Sequence, residues 1–600
     1  MKNYSFIINS ILYFVPLVNF SQVLIVPPSP GDLSSVEHLF KSDDYMVEVR
    51  KVGDIAFNTC FVYKTDNYAS NVYGGEKRKE LSASFTNFSF DETAVEVKIT
   101  VLNASVNSVT IRPLNYEIEA KYTGNEVTFI LPSPKKVSVE INNRLKPLFI
   151  FSDNPDIPNT NATYYYGPGV HHVGLKKEIK SNESVYIAGG AVVEGTFKIV
   201  QNATNITIRG RGIISNGELP TLEMQGGPNN DKLFANATFS GPYIWSSKNS
   251  YITYEGFIIV NGAGWTFAFY SNSGAFHHNT WKNIKEIQWS GCTDGIWFDG
   301  DYNTIDDCFI FNNDDLVTTH GSNNCKISNT TLWGGQFGGR MFMHAEWSSS
   351  SNITFENINV LGLHTRAAVL IKSEGTAITS INNLIFRNIR IESHPYDGTY
   401  WTNKFLKFEH TNADINNWLF ENITIDDKNT DEGDIYGTEN GIINGITFCN
   451  FKLKGVFATS LSEANMDTNS FAKNIIFELK PEIHVKIDND DIYTAVGEYN
   501  FGGVDIQSTI VKNIVIQNKG GVPLALNGVP RVTLNGDGFG LLNYPVENIP
   551  VNGSTNFQIT FTPYGNGMYN AIISIPNNDS DETPYTFKIK GKDKEKCMCE

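Results

Sequence analysis

Residues 290–323 read SGCTDGIWFDGDYNTIDDCFIFNNDDLVTTHGSN, and their pattern decides the fold. From Asn303 the run Asn-Thr-Ile-Asp-Asp-Cys-Phe-Ile-Phe is short, half apolar and alternating, which is the periodicity of a strand and not of a helix. An Asn leading a short apolar strand recurs at Asn249, Asn279, Asn303, Asn329, Asn352, Asn383, Asn417, Asn444 and Asn474, at spacings of 30, 24, 26, 23, 31, 34, 27 and 30. A repeat of this length with strands alone predicts a right-handed parallel β-helix, the variable part of each spacing falling in loops on one side.

The same stretch carries the chemistry. Thr293-Asp294-Gly295 is followed twenty positions on by Asn313-Asp314-Asp315. Asp in Asn-Asp and Asp-Gly pairs also makes turns. Three carboxylates on two neighbouring strands, however, raise one another's pKa and cost stability, an arrangement suited to holding a proton or a metal. Counted from each repeat's Asn, Asp294 is offset by 15, Asp314 and Asp315 by 11 and 12, His344 by 15, and His364 and Arg366 by 12 and 14. Coils lie about 4.8 Å apart, so these six are expected to line one face. Cleavage of a glycosidic bond needs one protonated carboxyl for the leaving oxygen and one carboxylate to activate water, and the three aspartates supply both. They also suit a Ca²⁺ ion.

Outward from the repeats, residues 22–155 alternate with period two (Tyr45-Met-Val-Glu-Val-Arg, Ala94-Val-Glu-Val-Lys-Ile-Thr-Val) and predict a β-sandwich that packs or orients. The β-helix is expected over 156–505, with the Gly- and Pro-rich insertion between Asn216 and Ser247 as a wall of the cleft. Strands such as Phe557-Gln-Ile-Thr-Phe predict an immunoglobulin-like sandwich over 506–592, before a charged tail at 593–600. That last module resembles the choice-of-anchor type of bacterial surface proteins. No acid cluster like the central one is read in it. Residues 1–21 have the positive start and apolar run of an export signal, so a secreted, surface or periplasmic location is expected.

Composition narrows the rest. Gly 50, Phe 39 and Tyr 26 in 600 residues suit an all-β chain of several domains, and a net charge of -17 argues against nucleic acid. No later segment is apolar enough to span a membrane. Cys292, Cys308 and Cys325 fall in successive repeats; they read as small buried fillers, with a disulfide as the alternative. All nine tryptophans lie between Trp245 and Trp418. Indole faces stack on sugar rings, so Trp265, Trp297 and Trp347 are expected to line a carbohydrate groove. His320, Gln336, His344, Glu346, Arg366 and Lys372 are expected there too, with a polysaccharide as partner, no cofactor, no metal and a monomeric chain.

Thr293-Asp294-Gly295, Asn313-Asp314-Asp315, Ser322-Asn323, the Leu332-Trp333 strand and Tyr166-Gly-Pro-Gly-Val-His resemble glycoside hydrolase family 49, the dextranases and isopullulanase, related to the family 28 polygalacturonases. The resemblance covers about residues 43–480. It implies an inverting hydrolase on a right-handed β-helix, with Asp314 as general acid, Asp294 and Asp315 activating water, and a dextran-like α-glucan as substrate. Gly334-Gly-Gln-Phe-Gly338 stands where polygalacturonases carry Gly-His-Gly, and Leu370-Ile-Lys372 only partly matches their Arg-Ile-Lys. A polygalacturonase-like or other β-helix glycosidase, a Ca²⁺-dependent lyase with Arg366 or Lys372 as base, and a non-catalytic adhesin are the alternatives.

Overall fold

The computed structural model describes residues 23–594 apart from 67–80, 92–93, 217–236, 241–247, 263, 270–275, 290–292, 335–339, 347, 364–366, 374–377, 393–403, 410–411, 428–429 and 489. The expected export signal, most of the 216–247 insertion, Cys292 and nearly all of the tail lie outside the described residues.

From Tyr164–Tyr166 to Ala472–Glu478, 31 strands form one continuous sheet. In the middle of the chain each strand pairs in parallel with the third strand after it: Phe267–Phe269 with Ile296–Asp299, then Val317–His320. Three strands per turn, wound in one sense, make the expected right-handed parallel β-helix. Its bore is filled by equivalent side chains one coil apart. Phe355, Phe386, Phe420, Phe448 and Phe477 stack with centroids 5.0, 4.8, 5.1 and 4.8 Å apart, the inter-strand spacing itself. Among the described residues there is no α-helix, and no helix is long and apolar enough to cross a membrane.

The recurrent Asn residues make the corners. Asn329, Asn357, Asn388, Asn422 and Asn450 all have positive φ, between 50° and 57°, a region Asn tolerates better than most side chains. Each donates its Nδ2 to the Oδ1 one coil back: Asn357 to Asn329 at 3.1 Å, Asn388 to Asn357 at 3.2 Å, Asn422 to Asn388 at 3.0 Å, Asn450 to Asn422 at 2.9 Å. A second corner carries the parallel series Asn324, Asn352, Asn383, Asn417. The Asn repeat of the sequence is therefore not one series: Asn329 lies on the first ladder, Asn352, Asn383 and Asn417 on the second, and Asn279 donates to Asn303 at a buried position apart from both. Asn329 belongs to a different ladder from Asn352, which shifts the counted register.

The N-terminal sandwich has a seven-stranded and a five-stranded sheet. Strand Leu148–Asp153 is buried along its whole length. Leu148 and Ile150 point into the sandwich, while Phe149 and Phe151 point onto the β-helix. There Phe149 meets Phe309, Phe311 and Trp333 at 5.0, 5.6 and 5.7 Å. Burying such rings contributes roughly 1.5–3 kcal/mol apiece. Asp153 crosses the same interface to the fully buried Lys285 at 2.7 Å.

The C-terminal sandwich starts earlier than expected. Strands Ile483–Ile487, Asp490–Ile492 and Glu498–Val504 already belong to its sheets, so the boundary lies after Glu478 and not at 505. The short gap between the modules has no change of composition to mark it. Its seams are polar. Lys452 holds Asn552 at 2.6 Å, and Ser133 of the first sandwich donates to Asp490 at 2.8 Å. It also contains an acid cluster not foreseen in the sequence: Glu482, Asp579 and Glu582 bring carboxylate oxygens within 4.8 Å of one another.

Cys60, Cys308, Cys325 and Cys449 are buried and free. Cys308 and Cys325 place their sulfurs 3.4 Å from the carbonyls of Asp306 and Asn323, as core fillers do.

Candidate active site

Asp294, Asp315 and Arg340 each stand two residues before a strand, Ile296–Asp299, Val317–His320 and Phe342–Glu346. The ladder pairs Ile296 with Val317 and Thr318 with Met343. It continues into the turns as Gly295 N–H to Asp315 O at 2.8 Å and Leu316 N–H to Arg340 O at 2.9 Å. The three residues therefore occupy equivalent places on successive coils, one strand spacing of about 4.8 Å apart. Trp265 extends the column below Asp294, since Phe267 pairs with Ile296. Gly295 is required by this stacking: a Cβ there would sit 2.5 Å from Leu316 O and 2.8 Å from Asn312 Nδ2.

Two stacked carboxylates repel, and Arg340 answers the repulsion. Its Nη2 lies 2.5 Å from Asp315 Oδ2 and its Nε donates to Oδ1, a bidentate clamp; Nη2 also lies 3.6 Å from Asp314 Oδ1. Burial works against the guanidinium charge, but Asp315, Asp314 and Asp294 more than offset it and raise its pKa. Asp314 accepts the Asp315 N–H at 3.0 Å. Its side chain is 23% exposed, against 3% for Asp315. Asp294 is buried. Its carboxyl is held well above the ordinary range, first by burial, then by Asp314 and Asp315, with Arg340 pulling the other way.

Behind this turn the bore is polar. Gln288 accepts the Gly262 N–H and donates to Thr266 Oγ1 at 3.2 Å, and the Thr266 N–H donates to Asp294 O at 2.8 Å. Glu286, in the same buried strand, is pushed up to about 8 by burial, with Thr266 and Asn312 opposing. This column supports the Asp294 backbone from inside.

The adjoining sheet face carries several of the residues expected to line a groove. Asp299 pairs with His320, and Trp297 with Thr318, on the side opposite the core residues Ile296, Phe298 and Val317. The rings of Trp297 and His320 meet edge-on at 5.1 Å. Lys372 is half-buried on strand Ala367–Ser373 and pairs with Ala345 and Glu409. His344 pairs with Thr319 and Ile371, and Glu346 with Ser373; their side chains fall outside the described residues, as do Gln336, Trp347, His364 and Arg366.

The tryptophans differ from expectation. Trp265, Trp281, Trp289, Trp297, Trp333 and Trp418 are all buried. Trp281 and Trp418 fill the bore, and Trp289 and Trp333 cement the N-terminal sheet. Trp265 and Trp297, only 8% and 4% exposed, pack on one another at 4.1 Å, which leaves little of either face for a sugar. Aromatic volume is needed wherever a coil or an interface must be filled, so their clustering follows the repeats.

Arg340 and Glu286 were missed from the sequence. Arg340 hides behind Gly334-Gly-Gln-Phe-Gly-Gly, and an offset counted from Asn329 uses the wrong ladder. Its signal is its place two residues before an apolar strand, shared with Asp294 and Asp315.

No protein-family model matches the chain, and no curated protein matches it in sequence. Among solved structures it is similar to Dex49A from Penicillium minioluteum, with a TM-score of 0.58 and 16% identity over 76% of this chain and 96% of that one. Weaker matches include the Yersinia enterocolitica family 28 exopolygalacturonase (TM-score 0.33, 10% identity, 64% and 96% of the two chains). Another is endopolygalacturonase I from Stereum purpureum (0.26, 16%, 52% and 95%). What the Dex49A likeness establishes is the fold, shared over nearly the whole of that chain.

Proposed function

We propose that the chain is a secreted, inverting glycoside hydrolase acting on a polysaccharide, with a dextran-like α-glucan as the favoured substrate. The observation that carries this reading is the carboxylate stack with its arginine clamp. It gathers three acids at one turn, keeps a proton among them through the buried Asp294, and pairs Asp315 with a permanent cation.

Asp314 is the most exposed of the three and is proposed to deliver the proton to the leaving oxygen. Asp315, oriented by Arg340, and Asp294 hold and deprotonate the water on the opposite side of the sugar. One coil step of about 4.8 Å plus the lateral offset of Asp314 suits the roughly 6.5–9.5 Å of inverting enzymes. Support for the glucan is the motif resemblance to family 49 and the lack of the polygalacturonase Gly-His-Gly at Gly334–Gly338.

The test is release of reducing sugar from dextran, pullulan, α-1,3-glucan, arabinan and polygalacturonate, with and without EDTA, followed by NMR of the fresh product. Inverted anomer, EDTA resistance and preference for dextran are expected. A retained anomer overturns the mechanism, and an unsaturated product absorbing in the ultraviolet overturns the hydrolase reading.

A further inference from the structure

A cavity well away from the stacked aspartates is lined by all three modules. It measures about 950 Å³ and lies where both sandwiches meet the β-helix, between Tyr116 and Lys135 of the first module, Asn329, Asn357 and Asn359 of the coils, and Tyr493 of the last. That volume is of the size that holds a small ligand. Asp307 marks its place on the coil. It sits at the start of the strand that ends beside Asp314, seven residues and at most about 23 Å away. The N-terminal sheet covers the strand between them, so the two places are separate.

The walls say what would fit. Every lysine of the cavity already holds a carboxylate. Lys136 binds Asp307 at 2.7 Å, Lys135 binds Asp490 at 2.7 Å, Lys590 binds Glu498 at 2.5 Å, and Lys512 binds Asp488. Asp491 is taken by His484 at 2.9 Å. Asp91, also on the wall, accepts the Val23 N–H at 2.9 Å. An anionic ligand would meet acids and lysines already spoken for, and would lose its hydration. A neutral ligand with many hydroxyls finds amides instead. Asn329 and Asn357 spend one acceptor and one donor on the ladder, and an amide has a second of each to offer.

The aromatic surface points the same way. Tyr116 is covered by the Lys135 ammonium at 4.8 Å, and Tyr499 is tied through its hydroxyl to Asp488 at 2.5 Å. Tyr493 is 38% exposed. Yet its hydroxyl is pushed up by burial first, then by Asp491, Tyr116 and Glu356, groups drawn from all three modules. Tyr493 thus lines the cavity with more than a third of its surface uncovered. A tyrosine face with amide edges around it is what binds a sugar ring.

We propose that this three-module junction is a second, non-hydrolytic binding site for a neutral oligosaccharide, with Tyr493 as ring platform and Asn357 and Asn359 as its hydrogen-bonding edge. The choice of a gluco-oligosaccharide as probe rests on the hydrolase reading above; the site itself rests on the cavity. It would hold a glucan chain while the aspartates cut elsewhere along it.

Isothermal titration of isomaltopentaose into the full-length Asp314→Asn chain tests it. Two sites are expected. Tyr493→Ala in that background should weaken one by about tenfold or more and leave the other, while Tyr493→Phe, which keeps the ring, retains both. In the otherwise wild-type chain, Tyr493→Ala should hydrolyse the pentasaccharide at an unchanged rate. A chain that hydrolyses glucan but binds the probe once, indifferent to Tyr493, overturns the junction site and leaves the hydrolase reading standing. A Tyr493-dependent site in a chain that hydrolyses nothing does the reverse. Absence of both binding and hydrolysis overturns both.

Discussion

Two corners of the same coil obey one geometry with opposite energetic consequences. At the Asn corner, stacking identical side chains at the strand spacing gives each amide an acceptor below and a donor above, and the ladder runs unbroken from Asn329 to Asn450. At the aspartate corner the same repeat stacks Asp294 against Asp315, and stacking becomes repulsion. The column is closed by one cation, Arg340, and by a proton kept in the cluster. A solenoid therefore builds a strained, charged site from the operation that builds its most regular feature. The difference lies only in whether the repeated group can satisfy its own copy.

The largest effect should come from breaking the charged corner itself. Asp314→Asn or Asp315→Asn is expected to cut turnover by several orders of magnitude with the fold intact, measured as reducing-sugar release beside circular dichroism. The Asp314 variant should recover on a substrate with an activated leaving group, which needs no proton. If Asp294→Asn recovers there and Asp314→Asn does not, the acid is Asp294.

Next in size is the clamp. Arg340→Met strands a buried carboxylate and should cost about 3–5 kcal/mol in urea unfolding. Adding Asp315→Asn to it should return most of that loss, because no orphaned charge remains. An additive double variant would show that Arg340 packs without pairing.

A buried acid one layer in gives a pH-dependent effect. With its folded pKa raised from 4.5 to about 8, Glu286 binds its proton more tightly in the folded state. Its burden is absent below about pH 4.5, grows through the window and is complete above about 8. Glu286→Gln should therefore raise stability on the order of 5 kcal/mol at pH 9 and leave it unchanged at pH 4. Equal shifts at both pH values would remove the titration from the explanation.

The smallest effect belongs to the Asn corner. Asn388→Gly keeps the positive φ of 54° and removes two ladder bonds, at 3.2 and 3.0 Å. It should cost about 1 kcal/mol, with activity untouched. A larger loss would mean the ladder is more cooperative than its separate bonds.

The repeat, the strands and the two sandwiches were legible because period-two alternation and recurring Asn are local signals. The acids were legible because carboxylates crowded into adjacent repeats are rarely tolerated without use. Arg340 was not, since register passes through loops of unequal length and Asn329 marks a different corner from Asn352. The tryptophans misled because one residue type serves bore, interface and sugar alike, and only burial separates Trp281 from a platform. The boundary at Ile483 was invisible because strand follows strand across it.

The N-terminal sheet touches the β-helix through Val192, Ile213, Ile258, Ile287, Phe309, Trp333 and Leu361, one or more residues from each of seven successive coils. A repeat protein held only by nearest neighbours frays from either end. Here fraying has a direction. Beyond Leu361 the contacts to the flanking modules are polar, Arg112 of the first sandwich holding Glu392 at 2.5 Å and Arg387 and Lys452 reaching Asp581 and Asn552 of the last. Opening that begins near Glu478 is therefore expected to travel inward through the Phe420 and Phe386 layers more readily than through the coils under the aromatic interface. The stacked aspartates lie under the aromatic interface. Backbone amides at Ile296 and Val317 are therefore expected to exchange with solvent more slowly than those of the last coils, which hydrogen exchange would measure, and the aspartate column should keep its register while the C-terminal end of the solenoid loosens.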